Sequence, residues 1–122
     1  MTDEQAIDYA QKLLAKYNLV GWSASLDLSN KHFGQCVYGI KTIFISVYHI
    51  KINDDYNVKR TIIHEVAHAI TKCGHSPIWK MKFQSMLNIE LDSNEIVTTR
   101  FGKGRLPSAA EKKQWNNFDL KL

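Results

Sequence analysis

No hydrophobic run in this sequence approaches the ~20 residues needed to cross a bilayer. The chain opens Met1-Thr2-Asp3-Glu4-Gln5, acidic and without an apolar segment behind it, which is not the pattern of a secretory signal. A soluble, cytoplasmic protein with no membrane partner is the expectation. Cysteine is scarce: Cys36 and Cys73 are the two present, and neither belongs to a C-x-x-C pair. A four-cysteine zinc ribbon is thereby excluded within the chain, and a disulfide framework is not expected. Both thiols read as small buried side chains. Internal repeats and low-complexity segments are lacking as well.

What is present suits one modest domain. The chain has 122 residues, 44% of them hydrophobic and 23% charged, an ordinary globular balance. Lys and Arg outnumber Asp and Glu by 16 to 12, giving a formal charge of +4. From Ile96 onward Arg100, Lys103, Arg105, Lys112, Lys113 and Lys121 face only Glu111 and Asp119, and Gly102, Gly104 and Pro107 interrupt the segment. Residues 96–122 therefore read as an irregular basic tail behind a folded body of residues 1–95. Such a tail is either a solvated end or an arm for DNA or an acidic partner.

Local signals give the body its elements. Thr2-x-x-Gln5 is a capping box, and Ala6, Ala10, Leu13, Leu14 and Tyr17 follow on one helical face. Trp22, Ala24, Leu26 and Leu28 then alternate with polar residues, as in a half-buried strand. Phe33 to Tyr38 and Thr42 to Tyr48 read as two further strands, the second rich in β-branched residues and so central. Asp54 to Asn57 can cap a helix from about Val58 to Lys72 that stops near Gly74. Ser76-Pro77 is an N-cap with proline at the first helical position, opening a last helix with Trp79, Phe83, Met86 and Leu87 on its apolar stripe. The order implies an α+β domain.

The chemistry is concentrated in His64-Glu65-Val66-Ala67-His68. Residues four apart on a helix lie one turn above the other, so the two imidazoles can converge on one ion at ~2.0–2.1 Å. Glu65 falls on the flank of that face, where a carboxylate can act on water without binding the metal. Ile62, Ile63, Val66, Ala69 and Ile70 occupy the opposite side, giving the helix a core-facing back and a histidine-bearing front. A catalytic zinc needs a third protein ligand, and Cys73, His75, Glu90 and Glu95 lie downstream. His75 is favoured, because Gly74 and the Ser76-Pro77 cap would hold it in a defined turn. A Cys73 thiolate would add negative charge and weaken the metal as a Lewis acid. His32, in a turn, and His49, after a strand, read as surface or supporting residues.

These segments together resemble the SprT-like metallopeptidases, the family that includes the Spartan DNA–protein crosslink proteases. The resemblance runs from about Ala6 to Leu87, through the Trp22 strand, Phe33-Gly34-Gln35-Cys36, Ile43-Phe44-Ile45-Ser46, Thr61 to Ala69, and Gly74-His75-Ser76-Pro77-Ile78-Trp79. It implies a minimal zincin-like fold: an N-terminal helix, a three-stranded antiparallel sheet, the active-site helix and a following helix. It implies that His64, His68 and His75 bind Zn2+ and that Glu65 is catalytic in hydrolysing a protein or peptide substrate, including proteins associated with DNA. Ser76 stands where the family often has glycine, and the Cys-rich ribbon of many members is lacking. The sequence does not single out an oxyanion-stabilising group; Tyr48 and the basic residues are candidates. A nucleic-acid-binding module with a structural zinc site is the alternative function.

Overall fold

The computed structural model describes residues 1–116, so Asp119 and Lys121 of the basic tail lie outside the described residues. Helix α1, Asp3–Lys16, starts at the expected capping box: Gln5 N–H donates to Thr2 Oγ1 at 3.0 Å, and Thr2 N–H donates to Gln5 Oε1 at 2.9 Å. It buries Ala6, Ala10, Leu13 and Leu14. Three strands follow: β1, Ser23–Asp27; β2, Gly34–Val37; and β3, Thr42–Ser46.

The sheet is mixed, in the order β1-β3-β2, which corrects the expected all-antiparallel arrangement. β2 pairs antiparallel with β3 (Gly34 opposite Ile45), whereas β1 pairs parallel with it (Ser23 opposite Thr42). The cause lies in burial and connection length. Ile43 and Ile45 are fully buried, so β3 takes the middle place. A 3-10 turn at Tyr38–Ile40, closed by Lys41 at φ 47°, returns β2 directly onto β3. Residues 28–33 carry the chain from β1 past one strand position, about 10 Å away, to leave β3 that place.

The third strand is also shorter than expected. It ends at Ser46, whose hydroxyl donates to Ser29 O at 2.6 Å, and residues 47–52 form helix α2, Val47–Ile52. Val47 and Ile50, three apart, turn into the core. Helix α3, Asp55–Thr71, follows, capped by Asp54, whose carboxylate accepts Asn57 N–H at 2.8 Å. It ends at Lys72 in the left-handed conformation (φ 54°), two residues before Gly74. Helix α4, Pro77–Leu91, starts at the Ser76-Pro77 cap, and α5 spans Ala109–Asn116.

α3 is the element around which the rest is arranged, touching α1, α4, β2 and β3. Its Val58, Ile62, Ile63 and Val66 share one core with Ile43 and Ile45 and with Trp79, Phe83, Met86 and Leu87 of α4. Full burial of such side chains stabilises by roughly 1.5–3 kcal/mol each. Val97, beyond α4, enters the same core, and its N–H donates to Gln84 Oε1 at 2.6 Å. Among the described residues no helix is long and apolar enough to cross a membrane.

Candidate metal centre

Arg60, His64 and His68 stand one above the other on α3, and the turn between α3 and α4 swings His75 toward them. That turn is made by Lys72 rather than by glycine; a side chain at Gly74 would meet open space. The three Nε2 atoms are mutually close: 3.2 Å from His64 to His68, 3.1 Å from His64 to His75, and 3.2 Å from His68 to His75. Tetrahedral ligands at ~2.0–2.1 Å from one ion would be about 3.3–3.4 Å apart, so the triangle has the right size for zinc. His68 Nδ1 lies 2.8 Å from Cys73 O; donating there leaves the Nε2 lone pair directed at the other two rings. Burial lowers the pKa of all three, most for His64, brought to about 2 by desolvation and then by its two histidine neighbours. Neutral imidazoles with facing nitrogens are the donor set a divalent metal uses.

Aromatic packing holds the triad from behind. Trp79, fully buried, stacks on His68 at 4.9 Å (12° between planes) and meets His64 and His75 edge-on, each at 4.6 Å. Its indole N–H donates to His64 O at 3.3 Å. Sequence periodicity assigns Trp79 only to the apolar stripe of α4; its contact with all three histidines needs the helix crossing to be seen. Tyr38 is a second supporting residue that sequence reasoning missed. Its hydroxyl lies 3.1 Å from both His68 O and Cys73 O, tying the end of α3 to the turn that carries His75.

Glu65 lies between α3 and β2. Its side chain packs against Gly34, where an added Cβ would come within 3.1 Å of Glu65 Cγ and 3.0 Å of both Thr61 Cγ2 and Phe44 O. A side chain there would press on Thr61, Glu65 and the Phe44 carbonyl, so glycine suits the close approach. Glu65 is 5% exposed, its Oε2 lacks a hydrogen-bond partner among the described residues, and burial pushes its pKa up to about 8. All four residues line a cleft of about 630 Å³, whose rim carries Lys31, Tyr38, Arg100 and Phe101. β2 forms the edge of the sheet along it.

The other candidates are engaged elsewhere. Glu90 accepts from Tyr17 Oη at 2.7 Å and pairs with Lys16 at 2.8 Å. Glu95 pairs with Arg60 at 2.8 Å and with Lys103 at 3.0 Å. Cys73 Sγ lies 3.0 Å from Ser76 Oγ, and both cysteines are free and half-buried. His32, which lines the cleft, lies 3.0 Å from Asp27. Tyr48 packs on Trp115, 5.1 Å between rings, and does not line the cleft. His49 is buried: it stacks on Phe33 at 4.4 Å, with Nε2 2.9 Å from Thr61 Oγ1.

The fold so described is one that a metallopeptidase also adopts. It is similar to the crystal structure of the metallopeptidase zymogen jannalysin of Methanocaldococcus jannaschii, with a TM-score of 0.58 and 17% identity over 71% of this chain and 91% of that one. A model of the SprT-like family matches residues 4–100, and the chain belongs to the SprT-like family. No curated protein matches the sequence.

Proposed function

We propose that this protein is a zinc-dependent endopeptidase in which His64, His68 and His75 hold the metal and Glu65 is the general base. The observation that carries the reading is the triangle of Nε2 atoms, 3.1 to 3.2 Å on a side, in an open cleft beside the buried Glu65 carboxylate, whose Oε2 has no partner among the described residues. The SprT-like family and the metallopeptidase neighbour support the peptidase class. Zinc held by His64, His68 and His75 would supply Lewis acidity for a carbonyl and for water near neutral pH.

The chain's own residues do the rest. Trp79 and the Cys73 carbonyl orient the imidazoles, so little reorganisation accompanies each turnover. The unpaired edge of β2 offers backbone donors and acceptors to an extended peptide lying along the cleft. Glu65 takes the proton of the attacking water on its carboxylate and passes it to the leaving amine. Glu65→Gln keeps shape and burial but removes the base; cleavage should fall by about 10²–10⁴-fold with metal content unchanged. Full activity in that variant would refute the assignment.

DNA-associated proteins as substrates are a finer reading, supported by the basic residues beyond Ile96. Salt-dependent DNA binding lost on truncation after Arg100 is the expected result, and salt-insensitive or undiminished binding would count against it.

A further inference from the structure

The cleft walls have one sign of charge. Lys31 and Arg100 line the cleft together with His32, while Glu65, nearly inaccessible, is the one carboxylate among the described residues lining it. His32 is matched by Asp27, but no ion pair among the described residues involves Lys31 or Arg100. Two cations with no counter-charge among the described residues, beside a concave surface, focus a positive potential into it.

Arg100 is not on a loose end. The segment just after it is fastened at three places. Gly102 lies on the Phe33 ring so closely that an added Cβ would come within 2.6 Å of it. Lys103 pairs with Glu95, itself held by the buried Arg60. Arg105 exchanges two backbone hydrogen bonds with the Asn53 side chain: its N–H donates to Oδ1 at 2.9 Å, and its carbonyl accepts from Nδ2 at 3.1 Å. Phe101, at the head of this strap, stays 68% exposed, with the Arg100 guanidinium 5.4 Å from its ring.

We propose that the strap is a specificity wall, and that the cleft selects an extended peptide bearing aspartate or glutamate beside the bond to be cut, with Arg100 and Lys31 as the selecting residues. The proposal rests on the peptidase reading and names its substrate class. A polyanionic nucleic acid would answer the same charges and would find exposed Phe101 to stack on, but it has no use for a strand edge. Phe33 is covered by His49 on one side and approached by Gly102, so it is not free to stack a base, whereas the β2 edge matches a peptide backbone.

The test uses the zinc-loaded full chain and two peptide sets sharing a central sequence, one flanked by glutamate and the other by lysine. Cleavage of the acidic set should be favoured by about five- to tenfold in kcat/KM at low salt, the preference fading as salt screens it. Arg100→Glu should invert the ranking, and Lys31→Glu should weaken it. Fluorescence anisotropy of the same peptides on the zinc-loaded Glu65→Gln variant reads the preference without turnover. Equal cleavage and equal binding of the two sets, or a ranking unmoved by Arg100→Glu, overturns the proposal and leaves the peptidase reading intact. Absence of cleavage with acidic peptides still preferentially bound refutes the peptidase reading and upholds the charge selection. A single-stranded oligonucleotide that displaces the acidic peptide at far lower concentration overturns the proposal in favour of a nucleic-acid cleft.

Discussion

Acidification should destabilise the fold through His49, which is 2% exposed and wedged between Phe33, Thr61 and Asn53. Asn53 Nδ2 lies 3.0 Å from His49 Nδ1, and Asn53 cannot turn its oxygen that way, because Oδ1 accepts the Arg105 N–H at 2.9 Å. Nδ1 must therefore accept and Nε2 must carry the proton, donating toward Thr61 Oγ1 or Asn57 O. A second proton on Nδ1 would face a donor. Burial brings the pKa from 6.5 to about 4, against smaller opposing contributions from Asn57 O and Asp54. The unfolded chain thus binds the proton more readily, and stability is full above the unfolded pKa and declines as pH falls from about 6.5 to about 4. The whole shift corresponds to about 3 kcal/mol, of which about 1 kcal/mol is lost between about pH 7.5 and about pH 5.5. Urea unfolding of wild type and His49→Gln across that range isolates the effect, since the clustered histidines contribute equally to both. The wild type should lose its advantage over the variant by about 1 kcal/mol at the acidic end. A gap that stays constant with pH would refute the reasoning.

Trp79→Ala should cost about 3–5 kcal/mol in denaturant unfolding of the metal-free chain and should also weaken zinc binding, because the three imidazoles lose their common support; retention of wild-type stability would exclude that packing role. Glu95→Ala strands the Arg60 guanidinium, 2% exposed and with Nη1 already lacking a partner among the described residues, and should cost about 3–5 kcal/mol. A loss under about 1 kcal/mol would mean that water reaches Arg60. The same pairing keeps Glu95 ionised: burial would raise its pKa, but hydrogen bonds from Arg60, Lys103 and Tyr56 outweigh it and hold the carboxyl at about 2. Its stabilising contribution is therefore present above the ordinary carboxylate pKa and is lost as pH falls toward about 2.

Much of the helical framework was legible because its signals are local. Thr2-x-x-Gln5, Asp54 and Ser76-Pro77 each satisfy orphan N–H groups within one turn, so the caps could be read in place. The central role of β3 followed from its apolar run. Strand direction did not, because alternation is the same whichever way a strand runs; the path of residues 28–33 decides it. Val47 and Tyr48 favour extended structure, yet Val47–Ile52 is helical, a case of tertiary packing overriding propensity.

The candidate site divides similarly. His64 and His68 were legible as a pair from helical spacing, and His75 from its place just beyond the helix. Their support was not. Trp79, Tyr38 and the Cys73 carbonyl meet the histidines only because α4 crosses α3 and the β2 end reaches the α3 terminus. The segment from Arg100 to Arg105 looked irregular because its glycines and cations form no periodic pattern. Its anchoring on Phe33, Asn53 and Glu95 comes from contacts distant in sequence.

The central claim is that His64, His68 and His75 together hold a catalytic zinc, and metal analysis with chelator competition on wild type beside His75→Ala tests it most directly. The account predicts a single tightly held zinc per wild-type chain. In the variant, affinity should fall by more than the roughly 10–100-fold expected for loss of a mere supporting hydrogen bond. Equal retention in the variant would remove His75 from the site, and a wild-type chain that takes up no zinc would contradict the account.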